Sequence, residues 1–461
     1  MLQLSDSQLR IDLAKRALDL HLDHYAGKRL PYVCISARGL HQKFVRLEGP
    51  AAGSELQVVD ASGGYGSACL GAAHPDITNA MVYSLENDGY VTDEIASLAR
   101  SHLLTSLFEE NGHWCDRFPA NRYHVSGRNS GSEGVELALR LALESRWDTR
   151  RMCWINDRRQ RRLILAFEGA WHGWTSGAVS LLNRTYFRLG LIENQQGDTD
   201  CAQTVFLPFG EIAILEEFFK NNKDNVLAVV VEPIQGDAGI IVPPRGFLRK
   251  LAYLCRMHEA LLIADEVLTF AKTGKFFALQ DDDGVPIPSD ITVIGKSLGF
   301  GVSSIAMVIS KRELTIRPIG GVATSDLRPL ACAIIKAGID CLVGNDLLQK
   351  SHTLGELLSE QLKTIVLSFP TVFSQARGRG FLQGLALTSR AAAFVRDLRL
   401  SILEQGALVE IMSGAGRRSQ GLPYSFPAIR VAPPLIADRD DLETICESIR
   451  AGAQAFVEDR K

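Results

Sequence analysis

The chain has 461 residues, of which 46% are hydrophobic, so it is long enough to bury a large core and to divide into two or more domains. Its formal net charge of −3 provides no overall attraction for nucleic acid or for an anionic membrane. No apolar stretch approaches the ~18 residues that a membrane-spanning helix requires. We therefore expect a globular protein that has neither nucleic acid nor a membrane as a partner.

The N-terminus and the cysteines indicate the cellular compartment in which we expect the protein. Residues 1–20 mix acidic and apolar side chains without a continuous apolar core, which predicts an amphipathic helix rather than a signal peptide. The nine cysteines are odd in number and widely scattered, and they form no CxxC or cysteine–histidine cluster. This pattern predicts reduced thiols in a cytoplasmic protein, with neither a disulfide framework nor a metal site.

Five short aliphatic runs predict the strands of a central sheet. In chain order they are RRLILAF (161–167), NVLAVVVEPI (225–234), ALLIADEV (260–267), DITVIGKS (290–297) and SIAMVIS (304–310). Most of the intervening stretches are long enough for a crossover, and residues 246–260 have the periodicity of an amphipathic helix. Continuous apolar strands that alternate with such helices predict a mostly parallel sheet covered on both faces, and hence an α/β fold.

The pattern changes beyond about residue 335. Helical sequences and shorter strands follow, including the strand-like segments at residues 378–387 and 428–435. This change predicts a smaller C-terminal domain.

Charged residues end three of the predicted strands. Glu232, Asp265 and Lys296 each lie at or just after the end of an aliphatic run. Ligands of such sheets bind at the carboxyl ends of the strands, so we expect these three side chains to line one crevice. Burying a carboxylate such as that of Asp265 costs several kcal/mol unless a nearby group shares its charge. The sequence therefore requires a partner for Asp265.

The segment NSGSEGVELALRLAL (129–143) places Ser130, Gly131 and Ser132 directly before a helical sequence. Backbone N–H groups at a helix start, together with two hydroxyls, can bind a phosphate. The same pattern is also that of an ordinary helix N-cap, so it does not identify a phosphate site by itself. A lysine, a buried aspartate and a phosphate-binding turn are, in combination, what pyridoxal phosphate requires. The lysine forms a Schiff base, the aspartate keeps the ring nitrogen protonated, and the turn holds the phosphate.

These residues belong to six motifs that resemble those of the class III aminotransferases, also called omega-aminotransferases, which are fold-type I pyridoxal phosphate enzymes. The motifs are NSGSEG (129–134), AWHGWT (170–175), EPIQGDAGIIVPPRGFLRKLAYLC (232–255), LLIADEV (261–267), DITVIGKSLGFG (290–301) and IRVAPPL (429–435). Their order and spacing are those of the family. The resemblance implies a large cofactor-binding domain over residues 61–335 and a small α+β domain over residues 336–461. Residues 1–60 would join the small domain.

The resemblance also implies a role for individual residues of the cofactor site. Lys296 matches the lysine that forms the Schiff base and moves the substrate proton, and Asp265 matches the aspartate at the ring nitrogen. The remaining matches are Val267 and Trp171 on the two ring faces, His172 beside Trp171, Ser130, Gly131 and Ser132 at the phosphate, and Thr324, which in the family reaches the phosphate from the partner subunit. The match of Thr324 implies a homodimer with shared active sites. An ordinary core tryptophan and a plain loop threonine are the alternative interpretations of Trp171 and Thr324.

Three residues match substrate-binding positions. Arg430 aligns with an arginine that holds the substrate α-carboxylate in several members, and Asp237 aligns with an acid that can pair with this arginine when the carboxylate is absent. Tyr65 falls where some members place a tyrosine that contacts the carboxylate. The alternative interpretation of Asp237 and Arg430 is a purely structural ion pair.

The chain departs from the family pattern at DEVLTFAKTG (265–274). Leu268 replaces a glutamine that hydrogen-bonds the cofactor ring oxygen, and Phe270 and Lys272 replace a glycine and an arginine. The sequence therefore predicts an aminotransferase that acts on a small amino substrate, with another pyridoxal phosphate reaction as the alternative. That reaction would be an aminomutase, a decarboxylase or a carbon–carbon bond-forming enzyme of biosynthesis. A non-catalytic protein on the same fold is a third alternative, and the presence of both Lys296 and Asp265 argues against it.

A second departure is an arginine-rich segment, ESRWDTRRMCWINDRRQRR (144–162), with Trp147 and Trp154 interleaved. Arginines among aromatic residues can bind anionic groups. A charged surface segment or a subunit contact, anchored by the two tryptophans, is the structural alternative.

Overall fold

The computed structural model of the chain describes residues 7–25, 29–89, 91–92, 94–148, 150–155, 159–184, 202–316, 320–417 and 422–460. The strands are β1 (Tyr32–Arg38), β2 (His41–Arg46), β3 (Glu55–Asp60), β4 (Tyr123–Arg128), β5 (Trp147–Asp148), β6 (Cys153–Trp154), β7 (Leu163–Phe167), β8 (Gln203–Leu207), β9 (Val226–Val231), β10 (Leu261–Glu266), β11 (Ile291–Ile294), β12 (Ala306–Lys311), β13 (Phe373–Arg379), β14 (Leu382–Leu387), β15 (Ala407–Leu408), β16 (Glu410–Met412), β17 (Gly416–Arg417), β18 (Pro423–Tyr424) and β19 (Ala428–Val431).

The longer helices are α1 (Ser7–Leu20), α2 (Pro75–Asn87), α3 (Leu98–Phe108), α4 (Gly131–Glu144), α5 (Ile212–Asn222), α6 (Phe247–Met257), α7 (Pro329–Gly344), α8 (Leu347–Ser368), α9 (Val395–Glu404) and α10 (Arg439–Glu458). Single helical turns span Gly63–Gly66, Ala178–Leu181, Lys296–Gly299 and Ser389–Ala392. Within the described ranges, no helix combines the length and the apolar character that crossing a membrane requires.

Seven strands form the central sheet, in the order β4, β12, β11, β10, β9, β7, β8. Strand β12 is antiparallel to both of its neighbours and the other adjacent pairs are parallel, so six of the seven strands point the same way. The prediction of a mostly parallel α/β sheet is confirmed. The aliphatic runs did not reveal β4 and β8, which are the two edge strands. Both carry polar residues within their short sequences, which hides them from a search for continuous apolar runs.

Apolar layers cover both faces of the central sheet. Along β10, Ile263 packs in the layer that contains α4, whereas Leu262 and Ala264 pack in the layer that contains α5 and α6. Because both faces are buried, the strand is apolar at consecutive positions rather than at alternate ones. Only where the strand leaves these layers, at Asp265 and Glu266, does the sequence become acidic.

Two smaller sheets connect the ends of the chain. Strands β1, β2, β3 and β15 form one sheet, in which Val59 of β3 pairs with Ala407 of β15. Strands β13, β14, β19 and β16 form a second, antiparallel sheet. The N-terminal strands are therefore hydrogen-bonded to the C-terminal part of the chain, as an N-terminal segment attached to the small domain would be. The domain boundaries at residues 60 and 335 stay predictions.

The arginine-rich segment 144–162 contains a short hairpin. Strands β5 and β6 pair so that the rings of Trp147 and Trp154 pack edge to face, with their centroids 5.3 Å apart. Arg161 is buried and donates hydrogen bonds to backbone carbonyl groups. Arg158 lies outside the described residues. These contacts support the structural interpretation of the segment rather than a binding role.

Helix α7 supports the turn that carries Lys296. The ring of Phe300, four residues after Lys296, packs directly on Gly338 in the middle of α7. A Cβ atom at Gly338 would overlap this ring, and Phe300 is buried in a left-handed conformation with φ of 49°. The ring therefore has no free space into which it can move.

We expect Gly338→Ala to destabilise the fold by about 1–3 kcal/mol, because an added methyl group in a packed core forces its neighbours apart. The matched control is Gly344→Ala at the end of the same helix, where the added atom meets nothing within 4 Å. Thermal unfolding checks both variants. Equal midpoints for the two alanine variants would show that the contact with Phe300 does not constrain the fold.

Candidate active site

A cavity of about 860 Å³ opens where the strands of the central sheet end. Most of the predicted site residues line it, namely Tyr65, Gly131, Ser132, Trp171, His172, Asp237, Asp265, Val267, Lys296 and Arg430. Ser130 lies beside the wall as the N-cap of α4, where its side chain accepts a hydrogen bond from the backbone of Glu133. Thr324 lies outside the cavity wall and is exposed. Sequence positions that are far apart therefore meet because their strands end at one edge.

Asp265 is buried and has two hydrogen-bond partners. Nδ1 of His172 lies 2.8 Å from one carboxylate oxygen, and the backbone N–H of Val267 donates to the other at 3.0 Å. We assign Nδ1 as the donor, because it faces a carboxylate oxygen, which accepts hydrogen bonds. The other ring nitrogen, Nε2, is buried without a hydrogen-bond partner among the described residues. The carboxylate retains lone pairs with which it can accept a further hydrogen bond from a ligand in the cavity.

Lys296 follows β11 in a strained conformation. Its φ is 42°, a left-handed value that costs a non-glycine residue about 1–3 kcal/mol and is typical of functional sites. Burial, followed by the positive charge of Arg430, lowers the pKa of the Lys296 amine from its ordinary value of 10.5 to about 8. The amine is therefore neutral, and nucleophilic, in a much larger fraction of molecules at neutral pH than a surface lysine is.

Glu232 adds a second buried carboxyl group at the end of β9. It accepts hydrogen bonds from the backbone N–H groups of Trp171 and Gly236, both at 2.9 Å. Burial, and to a smaller extent the charge of Asp265, raises the pKa of Glu232 to about 7, although His172 and the two N–H donors oppose this shift. Glu232 can therefore hold or release a proton near neutral pH.

The wall at the start of α4 fits a phosphate. A Cβ atom at Gly131 would lie 2.6 Å from a methyl group of Val267, and a Cβ atom at Gly173 would overlap Ser132. Both glycines are therefore needed for the backbone to come this close to the cavity. The N–H groups at the very start of α4, with the hydroxyl of Ser132, offer hydrogen-bond donors to an anion. The donor set of amine, carboxylate and phosphate turn matches pyridoxal phosphate.

Two of the residues predicted to bind the substrate, Arg430 and Asp237, form ion pairs that differ from the predicted one. Arg430 forms a buried ion pair with Glu410, which lies directly opposite it on the adjacent strand. Asp237 instead pairs with Arg184, which is also buried. The prediction that Asp237 pairs with Arg430 is therefore wrong. Neither partner could be found from the sequence, because Glu410 and Arg184 lie in segments that match no family motif.

Lys272 is a buried amine beside the turn that carries Lys296, and the sequence did not reveal its contacts. Its Nζ donates to the carbonyl of Leu268 at 2.9 Å and to the hydroxyl of Ser297, next to Lys296, at 2.6 Å. Burial lowers the pKa of Lys272 to about 7. Leu268 lines the cavity and packs in a small apolar cluster that includes Ile234.

Comparisons with known proteins identify the family of the chain. The family model described as aminotransferase class-III matches residues 52–452. Ornithine aminotransferase 1 of Staphylococcus aureus is 30% identical over 395 residues, which cover 84% of this chain and 88% of that protein.

Solved structures give the same fold. The ornithine aminotransferase of Toxoplasma gondii matches with a TM-score of 0.80 at 23% identity, over 100% of this chain and 97% of that one. An amine transaminase from an uncultivated Pseudomonas species matches with a TM-score of 0.77 at 20% identity, over 94% and 98% of the two chains. At these identities the structures establish the fold, and the family model and the staphylococcal relative establish the family. The chain belongs to the class-III aminotransferase family.

Proposed function

We propose that this protein is a pyridoxal-phosphate-dependent aminotransferase that moves an amino group from an amino acid or amine to an oxo acid. The observation that carries the proposal is that the amine of Lys296 and the carboxylate of Asp265 line one cavity with the Gly131–Ser132 turn. The Pseudomonas amine transaminase was solved in its pyridoxal-phosphate-bound form, which supports the choice of cofactor.

Different residues of the cavity would hold different parts of this cofactor. Pyridoxal phosphate, when bound, withdraws electrons from the substrate carbon that bears the amine and so makes the proton on that carbon acidic. We assign covalent attachment to Lys296, the ring nitrogen to Asp265, the two ring faces to Val267 and Trp171, and the phosphate to Ser130, Gly131 and Ser132. His172 donates to Asp265 and orients its carboxylate towards the ring nitrogen.

The proton chemistry uses groups that titrate near neutral pH. Because the pKa of Lys296 is lowered to about 8, both forms of its amine are populated, so the side chain can accept the substrate proton and return it. Glu232, with a pKa raised to about 7, lies near Asp265 and His172 and can take up or release a proton without a large energetic cost. These side chains give the site acid and base groups matched to neutral pH.

The identity of the amino donor follows less directly. The relatives carry the names of ornithine, acetylornithine and amine aminotransferases, so donors of these three kinds form the first panel to test. We propose that Arg430 and Tyr65 contact the substrate, with Asp237 in the same wall. Because Arg430 is paired with Glu410, a substrate carboxylate reaches Arg430 only after displacing that acid.

The assembly and location are also proposals. We propose a homodimer in which Thr324 of one subunit reaches the phosphate site of the other, and the exposure of Thr324 outside its own cavity supports this arrangement. The eight cysteines among the described residues are free thiols, which supports a cytoplasmic location. We also propose that the protein acts in a biosynthetic pathway.

One observation favours a second candidate. Leu268 cannot donate a hydrogen bond to the cofactor ring oxygen, and its side chain packs so closely on Gly236 that a Cβ atom there would overlap it. The alternative is an aminomutase, a decarboxylase or a carbon–carbon bond-forming enzyme that uses the same substrate carbanion. Product mass separates the two candidates, because an aminotransferase converts the donor to an oxo compound and passes the amine to the acceptor.

The decisive variant for the proposed function is Lys296→Ala. We expect it to lower the rate of amino transfer about 10³-fold or more, because it removes both the attachment point and the proton-transfer group. The assay follows product mass with the donor panel and an oxo acid acceptor in the presence of pyridoxal phosphate. Lys275→Ala, at an exposed lysine, is the control. Equal rates for Lys296→Ala and wild type would refute the assignment.

Glu410→Gln tests whether Arg430 can hold a substrate carboxylate. Removing the charge of Glu410 leaves the guanidinium of Arg430 available, so we expect the Michaelis constant for α-amino acids to fall about tenfold, consistent with the strength of a charge-assisted hydrogen bond. Amines that lack a carboxylate serve as the internal control, because their Michaelis constants have no reason to change. Unchanged constants for both donor types would show that Arg430 is a structural residue.

Lys272→Met tests the buried amine by its pH dependence. The unfolded chain binds this proton below pH 10.5, whereas the folded chain binds it only below about 7, so the folded state gains stability as pH rises between these values. The variant should therefore be more stable than wild type at pH 7 and below, and the difference should shrink towards pH 10.5.

Denaturant unfolding of the apoprotein measures this difference, and Lys275→Met at an exposed lysine is the matched control. A difference between Lys272→Met and wild type that is the same at every pH would show that Lys272 keeps its ordinary pKa in the folded state.

A further inference from the structure

Two arginines at the mouth of the cavity have no role in the chemistry described above. Arg396 and Arg399 lie three residues apart on α9, so they project from the same face of this helix, and both line the cavity. Arg399 is half-buried, and its Nε donates to the carbonyl of Val409 at 2.8 Å. Over the ranges that the structure describes, no acidic side chain pairs with either arginine and no hydrogen bond uses the terminal nitrogens of Arg399.

The other groups of the cavity wall already have partners. Arg430 is paired with Glu410 and Asp237 with Arg184, whereas Asp265 and Glu232 accept hydrogen bonds from His172 and from backbone N–H groups. The two guanidinium groups on α9 are therefore the arginines of the cavity wall that have no acidic partner among the described residues.

Two tyrosines complete this region. The hydroxyls of Tyr25 and Tyr65 are 2.7 Å apart, and both side chains line the cavity. Arg399 is close enough to interact electrostatically with both tyrosines, whereas Arg430 interacts with Tyr65 and with Lys296. Tyr65 therefore lies between an inner arginine, which is already paired, and an outer arginine, which is not. One of these hydroxyls donates to the other, so the second hydroxyl and the guanidinium fork of Arg399 are the donors that remain for one anionic group.

We infer that Arg399, assisted by Arg396 and by the hydroxyls of Tyr25 and Tyr65, binds a carboxylate at the end of the substrate remote from the reacting amine. This inference rests on the proposed aminotransferase function and names the residue that selects its substrates. In this arrangement the reacting amine of the substrate lies at Lys296. Its carboxylate lies at the mouth of the cavity, farther out than the ion pair of Arg430 and Glu410. A substrate with a cationic far end, such as a polyamine, would be repelled by the same two arginines.

The direct test measures binding without turnover. Glutarate, adipate and pimelate, which carry no amine, are titrated into the cofactor-loaded protein by calorimetry, with adipamide as the uncharged analogue of adipate. We expect Arg399→Gln, which keeps a polar side chain but removes the charge, to weaken binding of the best dicarboxylate about 10–100-fold, the range for a charge-assisted hydrogen bond. Binding of adipamide should not change.

The matched control is Arg390→Gln, because Arg390 is an exposed arginine that does not line the cavity. Arg396→Gln should have a smaller effect, which disappears at high salt, because exposed charges are screened. Arg399→Lys should recover part of the affinity. A dicarboxylate affinity that is the same in Arg399→Gln and in wild type would overturn the inference.

Kinetics separate this inference from the proposed function. Donors from β-alanine to ε-aminocaproate are compared with n-alkylamines of matching length, and Arg399→Gln should raise the Michaelis constant only for the carboxylate-bearing donors. If the alkylamines and the amino acids respond equally to the variant, the inference fails while the aminotransferase function stands. If wild type converts no donor, the proposed function fails, and the dicarboxylate titration still decides whether Arg399 binds a carboxylate.

Discussion

The constraint on which the rest of this structure depends is the burial of charged groups at the ends of apolar strands. Asp265 and Glu232 lie near each other at one edge of the sheet, and Lys296 lies in the same cavity. Water does not compensate these charges, so the protein does so with the ring of His172, with backbone N–H groups and with altered proton affinities. A raised pKa at Glu232 and a lowered pKa at Lys296 are direct results of this burial, and they give the site its capacity to exchange protons near neutral pH.

The same constraint explains why the surroundings of the site are so closely packed. The strained turn at Lys296 persists because the following residues, ending in Phe300, are held against Gly338 of α7. On the opposite wall, Gly131 allows Val267 to approach the start of α4. Each of these contacts leaves no room for a methyl group, so the fold fixes the positions of the amine and the phosphate turn through packing rather than through hydrogen bonds alone.

The part of the site that the sequence could predict is the part built on the ends of single strands. Asp265 and Lys296 interrupt long aliphatic runs, and a charge at such a place is visible without any knowledge of its neighbours. The pairing of Arg430 with Glu410 was not predictable, because it depends on the register of β16 and β19, which are separated in the chain by β17 and β18. The edge strands β4 and β8 were missed for a related reason, since an edge position permits polar residues that break an apolar run. The role that we propose for Thr324 requires a second subunit, which a single sequence does not describe.

The cavity therefore contains two kinds of charge, and this division bears on specificity. The inner charges are paired, and changing one of them leaves a buried partner uncompensated at a cost of several kcal/mol. The outer arginines on α9 have no acidic partner within the described chain, so a change there leaves no buried opposite charge uncompensated. In an enzyme of this design, the inner groups are constrained by stability as well as by chemistry. Under the inference drawn above, substrate preference can change at the mouth, where Arg399 interacts with the two tyrosines, without a change in the groups that we assign to the cofactor.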